Sequence, residues 1–324
     1  MTIEILATGP AATLQDSGRF GYQRYGMPVS GPMDAFAFQA ANILVDNNIN
    51  TATIEFTSPG LSFVTDKPRL IAVTGYGVRL FINGIEFPVW MSVFVRKNRE
   101  VHIKKTGEGM WGYLAVAGGF RAKRVMGSRA TYLRGGIGGV EGRALISGDL
   151  LKVGKPDVDL TTAAGRTFLP ETRLSYTASP TLRVVMGPQQ DYFTAKGIET
   201  FLSQDYTIST HSDRMGYRCE GTSITAVTDQ SFISDGIVNG AIQVPADGQP
   251  IIMMADHQTT GGYPKIGVVI SADIPLAAQT QPGGRIRFVA VNINSAVIAY
   301  RARWQPLVDR NWSLHETFLG NMQA

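Results

Sequence analysis

Three segments of the sequence concentrate polar and charged residues between glycines. They span residues 13–34, 212–218 and 240–265, and the third contains GAIQVPADGQP followed by ADHQTTGGYPK. A small-molecule pocket needs donors, acceptors and charges that converge on a rigid backbone, and glycines permit the tight turns that bring them together. Residues 240–265 are therefore the best candidate for a binding or catalytic site.

The residue types in these segments suggest individual roles. Asp256 and His257 are sequence neighbours, so on a strand they point to opposite faces and form no dyad with each other, which leaves one of them as the acid–base group. Arg214 and Lys265 are suited to hold a carboxylate or phosphate. The predicted catalytic residues are Asp256, His257 and Lys265, and the predicted substrate-binding residues are Arg214, Gln243, Gln249, Gln258, Thr259, Thr260, Asp16 and Arg19.

A structural interpretation of the same residues stays open. Asp and Thr side chains would then cap turn amides, and Arg214 would form a salt bridge under the ring of Tyr217. Under the functional interpretation, Arg214 and Lys265 both stand at the mouths of strands. We therefore expect these two cations to lie near one cavity that attracts an anionic ligand.

Several common chemistries lack their sequence signatures. In the glycine cluster 135–139, the third glycine of a dinucleotide motif counted from Gly136 would fall on Glu141. The sequence contains neither GxxxxGK[ST] nor GxSxG. The histidines at 102, 211, 257 and 315 have no second ligand at metal-site spacing, so no metal is predicted. No Met-Lys-Met stretch occurs, so we expect no biotin on this chain.

The composition of the 324 residues is typical of a soluble globular chain. With 44% hydrophobic and 17% charged residues it is not disordered, and a net charge of +4 without a basic stripe argues against nucleic-acid binding. No window is apolar for long enough to cross a membrane. A single cysteine, Cys219, fits a reducing compartment, and the N-terminus lacks the basic region of a signal peptide, so the cytoplasm is predicted.

Short apolar runs separated by Gly, Asn and Asp predict a mostly β protein. Val78–Ile82 and Ala296–Arg301 are two such runs. Few runs are followed by a helical crossover, which favours closed antiparallel barrels over a parallel sheet. Three helices are predicted, at 33–44 with Pro32 in the first helical position, at 189–202, and as a short turn at 274–279.

The apolar pattern fades between Lys155 and Pro180, where Thr, Ala, Pro and single charges predominate. Such a composition is typical of an exposed linker. We therefore predict an N-terminal β-barrel lobe at 1–160, a linker at 161–180, and a C-terminal β-barrel lobe with a C-terminal extension at 181–324.

Seven longer motifs run along the chain. They are TLQDSGRFGYQRYGMPVSGPMD, YLAVAGGF, MGSRATY, VMGPQQDYF, SDRMGYR, GAIQVPADGQP and ADHQTTGGYPKI. Together they resemble the carboxyltransferase family that includes the C subunit of 5-oxoprolinase, the second subunit of so-called allophanate hydrolases, the regulator KipA and part of urea carboxylase. The resemblance covers about Ile3 to Val291, and Cys219 stands where the motif more often has leucine.

The resemblance implies two cyclophilin-like β-barrel lobes with a few short helices and a small amide-containing acid bound between the lobes. It implies the C subunit of an ATP-dependent 5-oxoprolinase, which opens 5-oxoproline to L-glutamate with a companion A subunit and a KipI-like B subunit. ATP would be bound by the complex. The resemblance leaves two alternatives open: a carboxyltransferase component of a biotin-dependent urea or amide carboxylase, and a non-catalytic KipA-like regulator of a kinase inhibitor.

Overall fold

The apolar runs separated by glycine fold mainly into strands. The computed structural model describes residues 2–227 and 233–314, and within these ranges it has 23 β-strands and four α-helices. The mostly β fold class is therefore confirmed. Among the described helices, none is both long and apolar enough to cross a membrane. His315 and the rest of the predicted C-terminal extension lie outside the described residues.

The chain divides into two units that each combine distant segments. The first consists of Met1–Arg19, Ser30–Ser175 and Gln305–Ala324, and the second of Phe20–Val29 and Tyr176–Trp304. Part of the segment predicted as a linker is ordered within the first unit, because Ala163 and Phe168 are buried and residues 166–168 form a strand. The Thr-rich composition of this segment suggested that it is exposed. Instead, its main chain takes part in the hydrogen bonding of the first unit, because the Ser92 hydroxyl donates to the carbonyl of Ala163 at 2.7 Å.

The first unit contains fourteen described strands in three sheets. A seven-stranded sheet has the order β11-β12-β1-β4-β9-β6-β7, a five-stranded sheet has the order β2-β3-β10-β5-β8, and β13 pairs with β23. The strands are β1 Thr2–Thr8, β2 Thr13–Gln15, β3 Thr53–Phe56, β4 Gly60–Thr65, β5 Arg69–Gly75, β6 Val78–Ile82, β7 Ile85–Phe87, β8 Ser92–Val95, β9 Glu100–Lys105, β10 Gly112–Val116, β11 Phe120–Arg121, β12 Leu150–Val153, β13 Arg166–Phe168 and β23 Trp312–Leu314.

The two large sheets of the first unit share one apolar core. Ile5 and Phe63 from the seven-stranded sheet and Ile54 and Val73 from the five-stranded sheet belong to the same cluster and are fully buried. The first unit is thus built from two sheets rather than from one closed ladder. Barrels and paired sheets have the same alternating pattern in sequence, and only the pairing of edge strands distinguishes them.

Helix α1, Ala35–Leu44, packs against β5 and β10. It begins later than predicted, because the carboxylate of Asp34 accepts a hydrogen bond from the Ala37 N–H at 2.9 Å and so caps the first turn. Pro32 therefore lies outside the helix.

A buried network holds the start of α1. Glu55 Oε2 accepts hydrogen bonds from the Met33 N–H at 2.8 Å and the Tyr113 hydroxyl at 2.7 Å, and the Asp34 N–H donates to the Tyr113 oxygen at 2.7 Å. Glu55, Asp34 and Tyr113 are all fully buried. Burial, with the nearby Glu55 and Asp34 charges, raises the pKa of Tyr113 well above its usual value. Tyr113 is thus a neutral link between two acidic residues.

We expect Tyr113→Phe to lower the free energy of unfolding by about 1–3 kcal/mol, because the buried Glu55 carboxylate loses a donor and the Asp34 N–H loses its acceptor. Urea denaturation measures the change. Tyr25→Phe, at a side chain that is 68% exposed, is the control and should have almost no effect. Equal stabilities of the two variants would show that the network contributes nothing to the fold.

The second unit is a closed barrel with the strand order β14-β21-β18-β19-β16-β15-β22, completed by parallel pairing of β22 with β14. A separate ribbon pairs β17 with β20. The strands are β14 Thr181–Met186, β15 Asp205–Ile208, β16 Gly216–Glu220, β17 Asp235–Gly236, β18 Ala241–Gln243, β19 Ile251–Met253, β20 Thr260–Gly261, β21 Lys265–Val269 and β22 Arg285–Ala290.

Three further helices follow β14. Helix α2, Ala195–Ser203, starts later than the predicted 189–202, because the Thr194 side chain caps its first turn through the Gly197 N–H. Helix α3, Ile274–Gln279, has the predicted bounds. Short 3-10 turns lie at Gln23–Tyr25, Leu133–Gly135, Pro170–Thr172 and Gln190–Tyr192.

Helix α4, Ile293–Val308, replaces the strand predicted at Ala296–Arg301. The prediction was wrong because the local helix signals outweigh the apolar run. The Asn292 carboxamide oxygen accepts a hydrogen bond from the Ser295 N–H at 2.8 Å, which satisfies the first turn, and three alanines in the following residues favour the helix.

Candidate functional site

The centre of the candidate site is a pair of facing residues on neighbouring strands of the barrel. Gln243 ends β18 and is the register partner of Lys265, which begins β21. Their side chains are almost fully buried, with 2% and 6% exposure. A polar pair that is so deeply buried needs partners for its hydrogen-bonding groups, and these partners come from three other parts of the second unit.

Asp235, at the start of β17, is the ionic partner of Lys265. The Lys265 Nζ lies 2.6 Å from Asp235 Oδ2 and donates a second hydrogen bond to the Gly236 carbonyl at 2.9 Å. The hydrogen bond from Lys265, followed by that from the Gly236 N–H, lowers the pKa of the Asp235 carboxyl. The Asp235 side chain is 55% exposed, so the ion pair joins a buried ammonium to a carboxylate at the surface.

Gln189 connects Lys265 with Asp235. Its Oε1 accepts a hydrogen bond from the Lys265 N–H at 3.2 Å, and its Nε2 lies 3.5 Å from Asp235 Oδ2. This residue precedes the 3-10 turn at Gln190–Tyr192. Its carboxamide therefore fixes the start of β21 relative to the carboxylate that faces it.

Two further carboxamides meet beside Lys265. Gln243 Nε2 donates to the Tyr263 carbonyl at 3.3 Å, and Gln258 Nε2 donates to Gln243 Oε1 at 3.4 Å. Both distances are long for such bonds, so the two amides can exchange partners at low cost. We call Lys265, Asp235, Gln189, Gln243 and Gln258 the Lys265 cluster.

The β17–β20 ribbon approaches the Lys265 cluster closely, and this closeness explains a glycine. A Cβ atom at position 261 would lie 2.5 Å from Gln243 Nε2 and 2.5 Å from the Ile237 side chain. A larger residue at this position would push the ends of the Gln243 and Ile237 side chains aside. Gly261, part of a sequence signal for a turn, therefore also has a packing role.

His257 supports the cluster through the main chain. Its Nδ1 lies 2.7 Å from the Gln258 carbonyl oxygen, which can only accept, so Nδ1 carries the proton. Burial lowers the pKa of His257, while the hydrogen bond to Gln258 and the charge of Asp256 oppose that effect. The imidazole is 2% exposed and holds the segment that presents Gln258.

We expect the stability of the protein to fall as the pH drops below about 6.5, in part because of His257. Its pKa is lower in the folded than in the unfolded chain, so between the two values the unfolded state binds more protons. His257→Gln should flatten the dependence of the unfolding free energy on pH in this range. The control is His102→Gln, at a half-exposed histidine on β9, and an unchanged slope in His257→Gln would contradict the expectation.

Arg214 and Asp256 form a buried ion pair with each other. Arg214 Nε and Nη2 donate to the two carboxylate oxygens of Asp256 at 2.8 and 3.1 Å, and the Asp256 N–H donates to the Arg214 carbonyl at 2.8 Å. Both side chains are less than a tenth exposed. The geometry ties the loop before β16 to the loop after β19.

Arg214 and Lys265 contact different carboxylates. Arg214 pairs with Asp256, which lies two residues before Gln258 of the Lys265 cluster, whereas Lys265 pairs with Asp235. Gln243, the register partner of Lys265, pairs with Ile251 in β19, and Gly216, two residues after Arg214, pairs with Met253. That the two cations lie near one cavity stays a prediction.

The remaining predicted residues of the second unit serve different contacts. The Thr259 carbonyl accepts from the Ile237 N–H at 3.0 Å, and the exposed Thr260 belongs to β20. Gln249 makes two hydrogen bonds to the main chain of Gly221 at 2.8 and 3.2 Å. It lines a different groove of about 540 Å³, together with Ser209, His211, Arg218, Cys219, Glu220, Asp247, Pro250 and Ile251.

Asp16 and Arg19 belong to the first unit and tie its N-terminal segment to residues 128–130. Asp16 accepts from the Ser128 hydroxyl, from the Arg129 N–H at 2.6 Å and from the Gly18 N–H at 3.0 Å. The buried Arg19 guanidinium donates to the Ala130 carbonyl. The Asp16 and Arg19 side chains thus connect the main chains of two motifs, the one that begins TLQDSGR and MGSRATY.

Sequence reasoning missed Asp235 and Gln189. Gln189 lies in the motif VMGPQQDYF, and Asp235 precedes a glycine, a turn signal that carries no indication of chemistry. Within residues 2–227 and 233–314, no group of three or more His, Cys, Asp or Glu side chains could hold a metal ion. Burial raises the pKa of the Cys219 thiol, which makes this cysteine an unreactive core residue.

Comparison with known proteins places this fold in a family. The family profile described as carboxyltransferase domain, subdomain A and B, matches residues 25–290. The chain belongs to this family. The C subunit of Escherichia coli 5-oxoprolinase is 35% identical over 316 residues, which cover 97% of this chain and 99% of that protein.

Fungal proteins are also similar to this chain. Urea amidolyase of Saccharomyces cerevisiae is 31% identical over 91% of this chain and 17% of its own length. The crystal structure of the Kluyveromyces lactis urea amidolyase superposes with a TM-score of 0.87 and 27% identity over 94% of this chain and 20% of that one. This chain thus matches almost the whole of the Escherichia coli protein but only about a fifth of the fungal ones.

Proposed function

We propose that this chain is the C subunit of an ATP-dependent 5-oxoprolinase that opens 5-oxoproline to L-glutamate together with an A subunit and a KipI-like B subunit. The observation that carries the proposal is the similarity to the C subunit of Escherichia coli 5-oxoprolinase along 97% of this chain and 99% of that protein. The proposal places the complex in the cytoplasm.

The Lys265 cluster is the proposed substrate site on this chain. 5-Oxoproline has a carboxylate and a lactam amide, and the Lys265 ammonium suits the first group. Gln243 and Gln258 suit the second, because each carboxamide is both donor and acceptor. The exposed Asp235 carboxylate occupies Lys265 here, and a substrate carboxylate would take its place while Asp235 turns to solvent.

The proposed reaction breaks the lactam C–N bond. Water supplies the oxygen that joins the carbonyl carbon, and the nitrogen takes up the protons and becomes the amine of glutamate. ATP bound by the complex supplies the free energy of the reaction. On this chain, Lys265 holds the substrate carboxylate, while His257 and the pair of Arg214 with Asp256 hold the loops that carry Gln258.

Reconstitution tests this proposal. The chain is purified with the A and B subunits encoded in the same genome, and ATP-dependent formation of glutamate from 5-oxoproline is measured with and without it. Formation of a complex whose activity requires all three proteins is the expected result. A complex that forms without such activity would favour a KipA-like regulator, and the absence of both would overturn the proposal.

A second candidate function rests on the fungal relatives. The similarity to urea amidolyase covers 91% of this chain, and urea also has an amide that the two glutamine side chains could bind. Under this alternative the chain would accept a carboxyl group from biotin carried by another protein. Transfer of labelled carboxylate from carboxybiotin to urea, in a mixture that forms no glutamate, would favour the alternative over the 5-oxoprolinase.

A further inference from the structure

The first unit has a polar cavity of about 400 Å³ that none of the predicted site residues lines. Its walls come from the loop after α1, the start of β11 and the segments that follow β11 and β12. A volume of this size lies within the range of small-molecule sites, about 300–1,000 Å³. The charged residues of its lining are Arg121, Arg124, Arg129, Lys155, Asp46 and Asp157.

Three arginines, Arg121, Arg124 and Arg129, line this cavity. Burial, followed by repulsion from Arg124 and Arg121, lowers the pKa of Arg129, while the charge of Asp16 opposes this effect. Within the described residues, none of the three has a carboxylate at salt-bridge distance from its guanidinium. A bound anion would relieve the repulsion that acts on Arg129.

The position of Arg129 is fixed by the main chain. Its N–H donates to Asp16 Oδ2 at 2.6 Å, and its Nε donates to the Ala122 carbonyl at 3.1 Å. These contacts hold the main chain and the Nε of Arg129, and within residues 2–227 and 233–314 its two terminal guanidinium nitrogens make no hydrogen bond. A guanidinium group held in this way is preorganised for bidentate contact with an anion.

The acidic residues of the lining do not cancel this charge. Asp46 lies 3.4 Å from the guanidinium groups of both Arg166 and Arg310, which are outside the cavity lining. Asp157 is exposed. Four cationic side chains thus face two carboxylates, one of which is already shared with two other arginines.

We propose that this cavity is a binding site for a phosphate-bearing small molecule. Several guanidinium groups around one polar cavity match an anion with more than one charged oxygen, and the absence of an extended basic surface in the sequence argues against nucleic acid. Both a free oligophosphate and the phosphate chain of a nucleotide have this chemistry. The site lies in the first unit and is independent of the proposed substrate site in the second.

Binding to the purified full chain tests the proposal. Calorimetric titration with inorganic pyrophosphate, with ATP and with citrate at matched ionic strength is done at low and high salt. We expect pyrophosphate and ATP to bind, with weaker affinity at high salt, and ATP to bind more tightly if the nucleoside is also recognised. No binding of either phosphate compound, or equal binding of citrate, would overturn the proposal.

Arg124→Gln is the decisive variant, because this side chain is exposed and its loss leaves the fold intact. We expect it to weaken pyrophosphate binding about tenfold or more. Without pyrophosphate its melting temperature should equal or exceed that of the wild type, because one repulsive charge is gone. Lys123→Gln, an exposed cation two residues from Arg121 and outside the lining, is the matched control.

Equal weakening by Lys123→Gln would show that net charge, and not the cavity, attracts the anion, and would overturn the proposal. Arg121→Gln provides an independent check and should reproduce the effect of Arg124→Gln. Because all these measurements use the chain alone, their outcome does not depend on whether the assembled complex forms glutamate.

Discussion

Asp256→Ala is expected to lower the free energy of unfolding by about 3–5 kcal/mol, the largest loss of stability that we expect from a single substitution in the second unit. The substitution removes the two Asp256 oxygens that Arg214 Nε and Nη2 contact at 2.8 and 3.1 Å, while the guanidinium stays at a site less than a tenth exposed. Urea denaturation followed by tryptophan fluorescence measures the change.

Two further variants separate the cost of a buried charge from the loss of an ion pair as such. Replacement of both partners, Arg214→Met with Asp256→Leu, should recover most of the lost stability, because neither charge of this pair then remains buried. Glu86→Ala removes an equally well-formed but half-exposed pair with Arg79 and should change stability little. Similar losses from Asp256→Ala and Glu86→Ala would show that the Arg214 pair is in contact with water.

Lys265→Met is expected to reduce kcat/KM for 5-oxoproline in the reconstituted complex by at least about 30-fold, mainly through KM. A cation that faces a bound carboxylate in a desolvated site contributes about 2–5 kcal/mol. The variant should fold, because the partner carboxylate of Asp235 is 55% exposed and remains hydrated when the ammonium is removed.

Lys196→Met provides the control for this prediction. Lys196 also forms an ion pair, with Glu199 at 3.0 Å, but both of these side chains are exposed on α2. The Lys196→Met variant should retain the wild-type kcat/KM. If Lys265→Met did the same in an active complex, the Lys265 cluster would not be the substrate site, whereas the assignment to a 5-oxoprolinase complex would stand.

The sequence predicts local structure well where one signal dominates. Val78–Ile82 and Ile274–Gln279 have the predicted bounds, because alternation in the first and a proline in the first turn of the second leave no competing interpretation. The prediction from sequence fails at Ala296–Arg301. An apolar run there coincides with the start of a helix that the Asn292 side chain caps, and the segment forms that helix.

The candidate site could be predicted only in part. Gln243, Gln258 and Lys265 belong to one glycine-rich segment, and the structure does bring them together. Asp235 and Gln189, which complete the cluster, could not be predicted because strand register and a separate ribbon bring them there. Residue type made Arg214 and Lys265 equivalent candidates, but the structure gives them different carboxylate partners, Asp256 and Asp235.

The division of the chain into interleaved units affects how it is synthesised and how it can be shortened. Strand β13 at Arg166–Phe168 pairs with β23 at Trp312–Leu314, so the first unit acquires its last strand only after the ribosome has made the whole of the second. A fragment that ends near residue 180 lacks that strand, and the complementary fragment lacks Phe20–Val29. Neither half is therefore a complete folding unit, and binding studies with this protein require the full chain.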